Sequence, residues 1–216
     1  MPENLYDPLD KVNLARSIVG ALFQKEPRRL SDSSDLVGAG IYAIYYVGNH
    51  PLYESIAIAN QDEKFGMPIY VGKAIPEGGR KGGLGLDASK GTAIRGRLRQ
   101  HARSLTQVVN LDLEDFFYRS LIVDDIWIPL GENAVIEWFR PVWNVAVDGF
   151  GINEPGKGRK NQQKSGWDSL HPGRKLAEKL PANVRTVDQF EEVVRSFLAG
   201  DPMVALLQLE EDAPDG

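Results

Sequence analysis

The 216-residue sequence contains no cysteine, which excludes disulfides, thiol nucleophiles, iron–sulfur clusters and cysteine-ligated zinc fingers. No run approaches the roughly 20 apolar residues needed to cross a bilayer. The start, MPENLYDPLDK, is acidic where a signal peptide would be basic and then apolar. Secretion and membrane insertion are therefore not expected, and a cytoplasmic location is. Histidine is scarce: there are three, with neither HExxH nor His-x-x-x-His spacing, so a zinc hydrolase leaves no signature. A serine hydrolase elbow, GxSxG, is missing as well. What is present, 42% hydrophobic and 25% charged residues, is the composition of a chain that folds around one core.

Positive charge is in deficit overall, with a formal net charge of −5, but it is unevenly spread. Residues 73–103 carry eight basic side chains against two acidic ones, and residues 157–175 carry six against one. The rest of the chain is strongly acidic. Two basic islands in an acidic chain suit phosphate binding, because counterion release depends on the contacting surface and not on global charge. Solvated loops would show the same clusters, so charge alone does not decide.

Along the chain, DKVNLARSIVGALFQK places Leu14, Ile18, Ala21 and Leu22 at helical spacing, with Asp10 as the cap. EPRRLSDSSD reads as a loop. GIYAIYYV and PIYVGK read as strands, separated by HPLYESIAIANQDEKFG, a short helix and loop. A Gly-rich basic stretch follows, in which no element is expected. In AIRGRLRQHARSL the apolar stripe is Ile94, Leu98, Ala102 and Leu105; Arg95, Arg99 and Arg103 fall towards solvent, and Arg97 and His101 share a face. FFYRSLIVDD reads as a third strand, and GENAVIEWFR as a helix opened by Glu132 and ended by Pro141. After a Gly-rich polar segment, HPGRKLAEKL and VDQFEEVVRSFLAG are amphipathic.

Two glycine patterns fall short of their motifs, the first being discarded and the second read as a turn-rich binding loop. Gly38-Ala-Gly40-Ile-Tyr-Ala43 is followed by a strand where a dinucleotide fingerprint needs a helix. Gly151 to Lys157 approximates a phosphate-binding loop, but Gly158 replaces the required hydroxyl and no apolar strand leads into it.

The remaining polar residues sit at the edges of the expected elements, and each alone has a plain structural explanation. Together, Gly40-Ile41-Tyr42, Tyr70-Val71-Gly72-Lys73, Arg97 and His101 on one helix, Glu132-x-x-x-Ile136 and Pro141-x-x-Asn144 resemble the GIY-YIG nuclease superfamily, in the family's order. The segments WNVAVDGFGINEPGKGR and KSGWDSLHPGR resemble its branch of type II restriction endonucleases that cut CCGCGG. The resemblance implies an α+β fold with a small, mostly antiparallel three-stranded sheet flanked by helices. The catalytic core would span 38–148 with an insertion at 50–66. Residues 1–37 would form a helical arm, and 149–216 a recognition loop with C-terminal helices.

It also implies roles. Glu132, twelve residues before Asn144, would hold one Mg²⁺, with Glu137 the competing position. Arg97 would stabilise charge on phosphate, and Tyr42 would take the proton of the attacking water. His101 or Lys73 would assist Tyr42, Tyr70 would orient water or phosphate, and Asn144 would position the glutamate or its loop. Double-stranded DNA is the implied partner, bound by a homodimer and protected in the host by a companion methyltransferase. Arg159, Lys160, Asn161 and Gln162 carry side chains suited to base edges; Lys81, Arg95, Arg99, Arg103 and Lys164 suit the backbone. A nicking enzyme of the same superfamily is one alternative; a non-catalytic DNA-binding module, or a nucleotide-binding protein using Gly151 to Lys157, is the other.

Overall fold

GIYAIYY has no charged position, so a strand built from it must be covered on both faces. The computed structural model describes residues 9–75, 91–152 and 163–200. Its helices are α1 (Lys11–Phe23), α2 (Glu54–Asn60), α3 (Ala93–Leu105), α4 (Ile128–Phe139), α5 (Val142–Val145), α6 (Gly166–Leu170) and α7 (Val187–Leu198). Its strands are β1 (Arg28–Arg29), β2 (Gly40–Tyr46), β3 (Tyr70–Ala74) and β4 (Phe116–Ile122). They form one antiparallel sheet in the order β1-β4-β2-β3.

Strand periodicity then divides the core. Tyr42, Ile44 and Tyr46 point into a layer with buried side chains of α2, α3, α5, α6 and α7. Ile41, Ala43 and Tyr45 point into a second layer with α1 and α4. Every residue of β2 is buried, so truncating one of its tyrosines to Ala would cost about 3–5 kcal/mol.

The fold is α+β as expected, with differences in detail. The sheet has four strands because EPRRLSDSSD, expected as a loop, lends Arg28 and Arg29 to the edge of β4, opposite Tyr118 and Phe117. Two residues have no alternation to detect, and the ready-made β4 edge supplies the pairing. Helix α4 begins at Ile128, so Glu132 lies one turn inside it instead of opening it. Pro129 sits in the first turn, where its fixed φ suits a helix and its missing N–H costs nothing. HPGRKLAEKL forms turns, not a helix; Arg174 within it is drawn inward onto Asp168 and loop carbonyls, which overrides the amphipathic pattern. The closing helix α7 is present, with a capping box between Thr186 and Gln189.

Candidate active site

Tyr42 stands in the middle of β2 and points to the α3 side of the sheet. Its phenol oxygen lies 2.8 Å from His101 Nε2, and both side chains are buried. The sheet makes this contact possible at Gly72, the register partner of Tyr42 on β3. A Cβ at Gly72 would lie 2.5 Å from the Tyr42 hydroxyl, so only glycine lets the ring lie across the neighbouring strand. Tyr70 completes an aromatic cluster, its ring 5.1 Å from His101 and 6.4 Å from Tyr42.

Burial raises the pKa of both Tyr42 and Tyr70, while the positive charge of Arg97 opposes the rise and the negative charge of Glu132 adds to it. His101 moves the other way: burial, then the charges of Arg97 and Arg174, hold it well below the ordinary histidine range. The imidazole is therefore neutral at neutral pH and has one ring nitrogen able to accept a hydrogen bond.

Lys73 and Glu132 approach from the opposite face of the sheet. Lys73 alternates with Gly72 on β3, and its Nζ donates to Glu132 Oε2 at 2.5 Å. The Glu132 side chain is 15% exposed, whereas Glu137 is exposed on the outer side of α4. Because β3 is an edge strand, groups from both faces meet around it. The free edge itself is closed by Asn144, which accepts from the Val71 N–H at 2.7 Å and donates to the Val71 carbonyl at 2.8 Å. Asn144 thus imitates a neighbouring strand, and its hydrogen bonds go to Val71 and not to Glu132.

Arg97 is half-buried at the rim. It donates to Gln100 Oε1 at 3.1 Å and to the Gly151 carbonyl at 3.3 Å. Phe150 stacks on His101 with centroids 4.6 Å apart, and packs edge-on against Tyr70 at 5.0 Å. A Cβ at Gly151 would come within 2.4 Å of the Tyr70 hydroxyl. Gln100 was not expected at the site; Gly151 was read only as the start of an imperfect phosphate-binding loop, and Phe150 only as part of a segment that resembles the restriction-enzyme branch, with no contact to His101 or Tyr70 expected.

The sequence profile of the family described as Eco29kI GIY-YIG domain matches residues 34–198. The chain belongs to the Eco29kI GIY-YIG family. That is a family of restriction-type nucleases, so DNA is its substrate class. Among curated proteins no match is found. The family's match includes Tyr42, Tyr70, Lys73, Arg97, His101, Glu132 and Asn144, the residues that the fold gathers around β3.

Other candidates lie apart. On α3, Arg99 and Arg103 are exposed and Arg95 is partly buried, donating to the Ser34 carbonyl at 2.9 Å. All three fall on the side of the helix away from the stripe of Ile94, Leu98, His101 and Leu105. Lys164 is partly buried, and its backbone is tied to Pro181 and Asn183. Lys81, Arg159, Lys160, Asn161 and Gln162 lie outside the described residues. GIY-YIG nucleases generally use a divalent metal. The described residues hold no group of three or more His, Asp or Glu side chains placed to bind one. Glu132, a single partly exposed carboxylate with one oxygen taken by Lys73, matches in donor type a hard cation that keeps several of its waters. No described helix is long and apolar enough to cross a membrane.

Proposed function

We propose that this protein is a type II restriction endonuclease that hydrolyses double-stranded DNA at a palindromic site, CCGCGG, in a Mg²⁺-dependent reaction. The observation that carries the catalytic part is the Tyr42–His101 hydrogen bond at 2.8 Å, flanked by Arg97 and, around the strand edge, by the Glu132–Lys73 pair. Phosphodiester hydrolysis needs an activated water, charge neutralisation at phosphorus and a stabilised leaving oxygen.

Buried Tyr42 does not wait as a phenolate, since burial disfavours that form. Its oxygen takes the water's proton as its own proton passes along the existing hydrogen bond to neutral His101. Of the two assistants that the sequence offers, His101 is the one bonded to Tyr42, while Lys73 is committed to Glu132. Arg97 presents a planar fork of donors to phosphate oxygens. Tyr70 orients water or phosphate beside it. Asn144 acts one step back, holding the β3 edge that carries Tyr70 and Lys73. Glu132 would hold the Mg²⁺, which when bound supplies Lewis-acid charge at the phosphate.

Site choice is assigned to Arg159, Lys160, Asn161 and Gln162, with Lys81, Arg95, Arg99, Arg103 and Lys164 on the backbone. A palindrome cut on both strands calls for a two-fold homodimer, one site per strand, and an unprotected host calls for a companion methyltransferase. The deciding experiment is incubation of the purified protein with plasmid bearing one CCGCGG site, with Mg²⁺ and with EDTA, followed by sequencing of the product ends. Linear plasmid with ends inside the hexamer, in Mg²⁺ only, is the expected result. Nicked plasmid would favour the single-strand enzyme of the same superfamily. DNA binding without cleavage of any mixed genomic DNA would favour a non-catalytic module.

A further inference from the structure

Arg174 lies between the two C-terminal helices, outside the constellation around β3, and its side chain is 1% exposed. Its Nε and one terminal nitrogen each donate to Asp168 at 2.8 Å. The same guanidinium donates to the carbonyls of Gly149 at 2.9 Å, and of Phe150 and Ile152 at 3.3 Å. It also stacks over Trp167, 4.8 Å from the ring centroid. Asp168 is fixed in turn by the Ser165 hydroxyl at 2.7 Å.

The other side of the segment Gly149–Ile152 is the wall of the candidate active site. Phe150 stacks on His101 and abuts Tyr70, and the Gly151 carbonyl receives Arg97. Three candidate catalytic side chains thus rest on a four-residue segment whose far side is fastened by one guanidinium. Stability does not by itself account for a buried ion pair here, since apolar packing of the same volume serves a core at least as well. Lysine could not replace it either: an ammonium cannot grip a carboxylate in two places and reach three carbonyls.

We propose that Arg174, locked by Asp168, is a positioning residue of the nuclease: it clamps Gly149–Ile152 so that Phe150 sets the plane of His101 and Gly151 sets the reach of Arg97. This rests on the nuclease reading above. The test is a double-mutant cycle of Arg174→Lys, Phe150→Leu and the pair, read by single-turnover cleavage per folded molecule, DNA affinity in EDTA, circular dichroism and the His101 ring resonances.

Each single variant is expected to cleave between about ten- and a hundredfold more slowly while binding DNA within about threefold of the parent. The pair should lose little more than either alone. The His101 resonances should shift in both single variants. Parental cleavage by Arg174→Lys, fully additive losses, or unmoved His101 resonances would overturn the clamp. If Arg174→Lys does not fold, Phe150→Leu decides, and parental cleavage by that variant overturns it. A parent that cleaves no DNA under any divalent metal removes the nuclease reading itself, and the clamp with it.

Discussion

The protein contains the same pair of side chains twice. Tyr42 and His101 meet at 2.8 Å through the phenol oxygen and Nε2, and so do Tyr53 and His171. Both pairs are buried, burial raises the pKa of both phenols, and burial lowers that of both imidazoles. What differs is the company each keeps. His171 Nδ1 faces Asn110 Oδ1 at 3.1 Å, and Asn110 Nδ2 is committed to the Leu170 carbonyl. The amide oxygen must therefore receive the Nδ1 proton, leaving Nε2 to accept from Tyr53. That pair packs among Trp143, Trp167, Tyr46 and His50, and Glu191 is the acidic group that acts on Tyr53. The Tyr42 pair instead lies within the fields of Arg97 and Glu132 at the rim of an edge strand. In the mechanism proposed above, a tyrosine–histidine hydrogen bond is core architecture in one place and a proton path in the other, set apart by Arg97 and Glu132 at the strand edge.

The largest break in this symmetry should come from Glu132→Gln. The isosteric amide removes the charge proposed to hold the metal, so cleavage should fall on the order of 10³-fold or more while DNA binding in EDTA persists; retained Mg²⁺-dependent cutting would move the metal site to Glu137. Next, Tyr42→Phe and His101→Gln should each slow single-turnover cleavage by about 10²-fold. The matched Tyr53→Phe and His171→Gln should leave that rate unchanged and lower the unfolding free energy instead, by about 1–3 kcal/mol for a newly unpaired buried group. Equal rate losses in both sets would erase the difference between the two pairs.

A third test uses acid. Burial pushes His171 down to about 3 from an ordinary value of 6.5. Below 6.5 the unfolded chain takes up a proton at this residue that the folded chain refuses, so the stability it contributes is present above 6.5 and drains away as pH falls towards 3. Between pH 7 and pH 5 the loss should be about 2 kcal/mol, seen by urea denaturation and relieved in His171→Gln. A pH dependence identical in parent and variant would count against it. The smallest expected effect is at Gly72→Ala. The added methyl would meet the Tyr42 hydroxyl at 2.5 Å and tilt the ring away from His101, slowing cleavage by about tenfold with DNA affinity retained. Normal cleavage would show that the ring has room to move.

The legible part of this protein was the part written in local spacing. The strands from GIYAIYY and PIYVGK, the basic helix carrying Arg97 and His101, and the order of the family motifs can all be read residue by residue. The two-residue β1 and the inward turn of Arg174 were not legible, because each depends on a partner distant in sequence: β4 for one, Asp168 and the Gly149–Ile152 carbonyls for the other. Asn144 shows the same limit inside the site. Its place in the motif is visible, but its commitment to Val71 depends on which strand of the sheet is left at the edge.

By itself the sequence determined which chemistry is available: with no cysteine and no zinc spacing, it offers a tyrosine, a histidine, an arginine and one glutamate at family spacing. Only the tertiary structure decided which tyrosine–histidine pair stands beside Arg97 and Glu132, which glutamate meets Lys73, and what holds Phe150 against His101. Residue type and local period are properties of short stretches of chain. The field at a buried phenol is set by groups from other elements, here α3 and α4, which the folded sheet alone brings to the same edge.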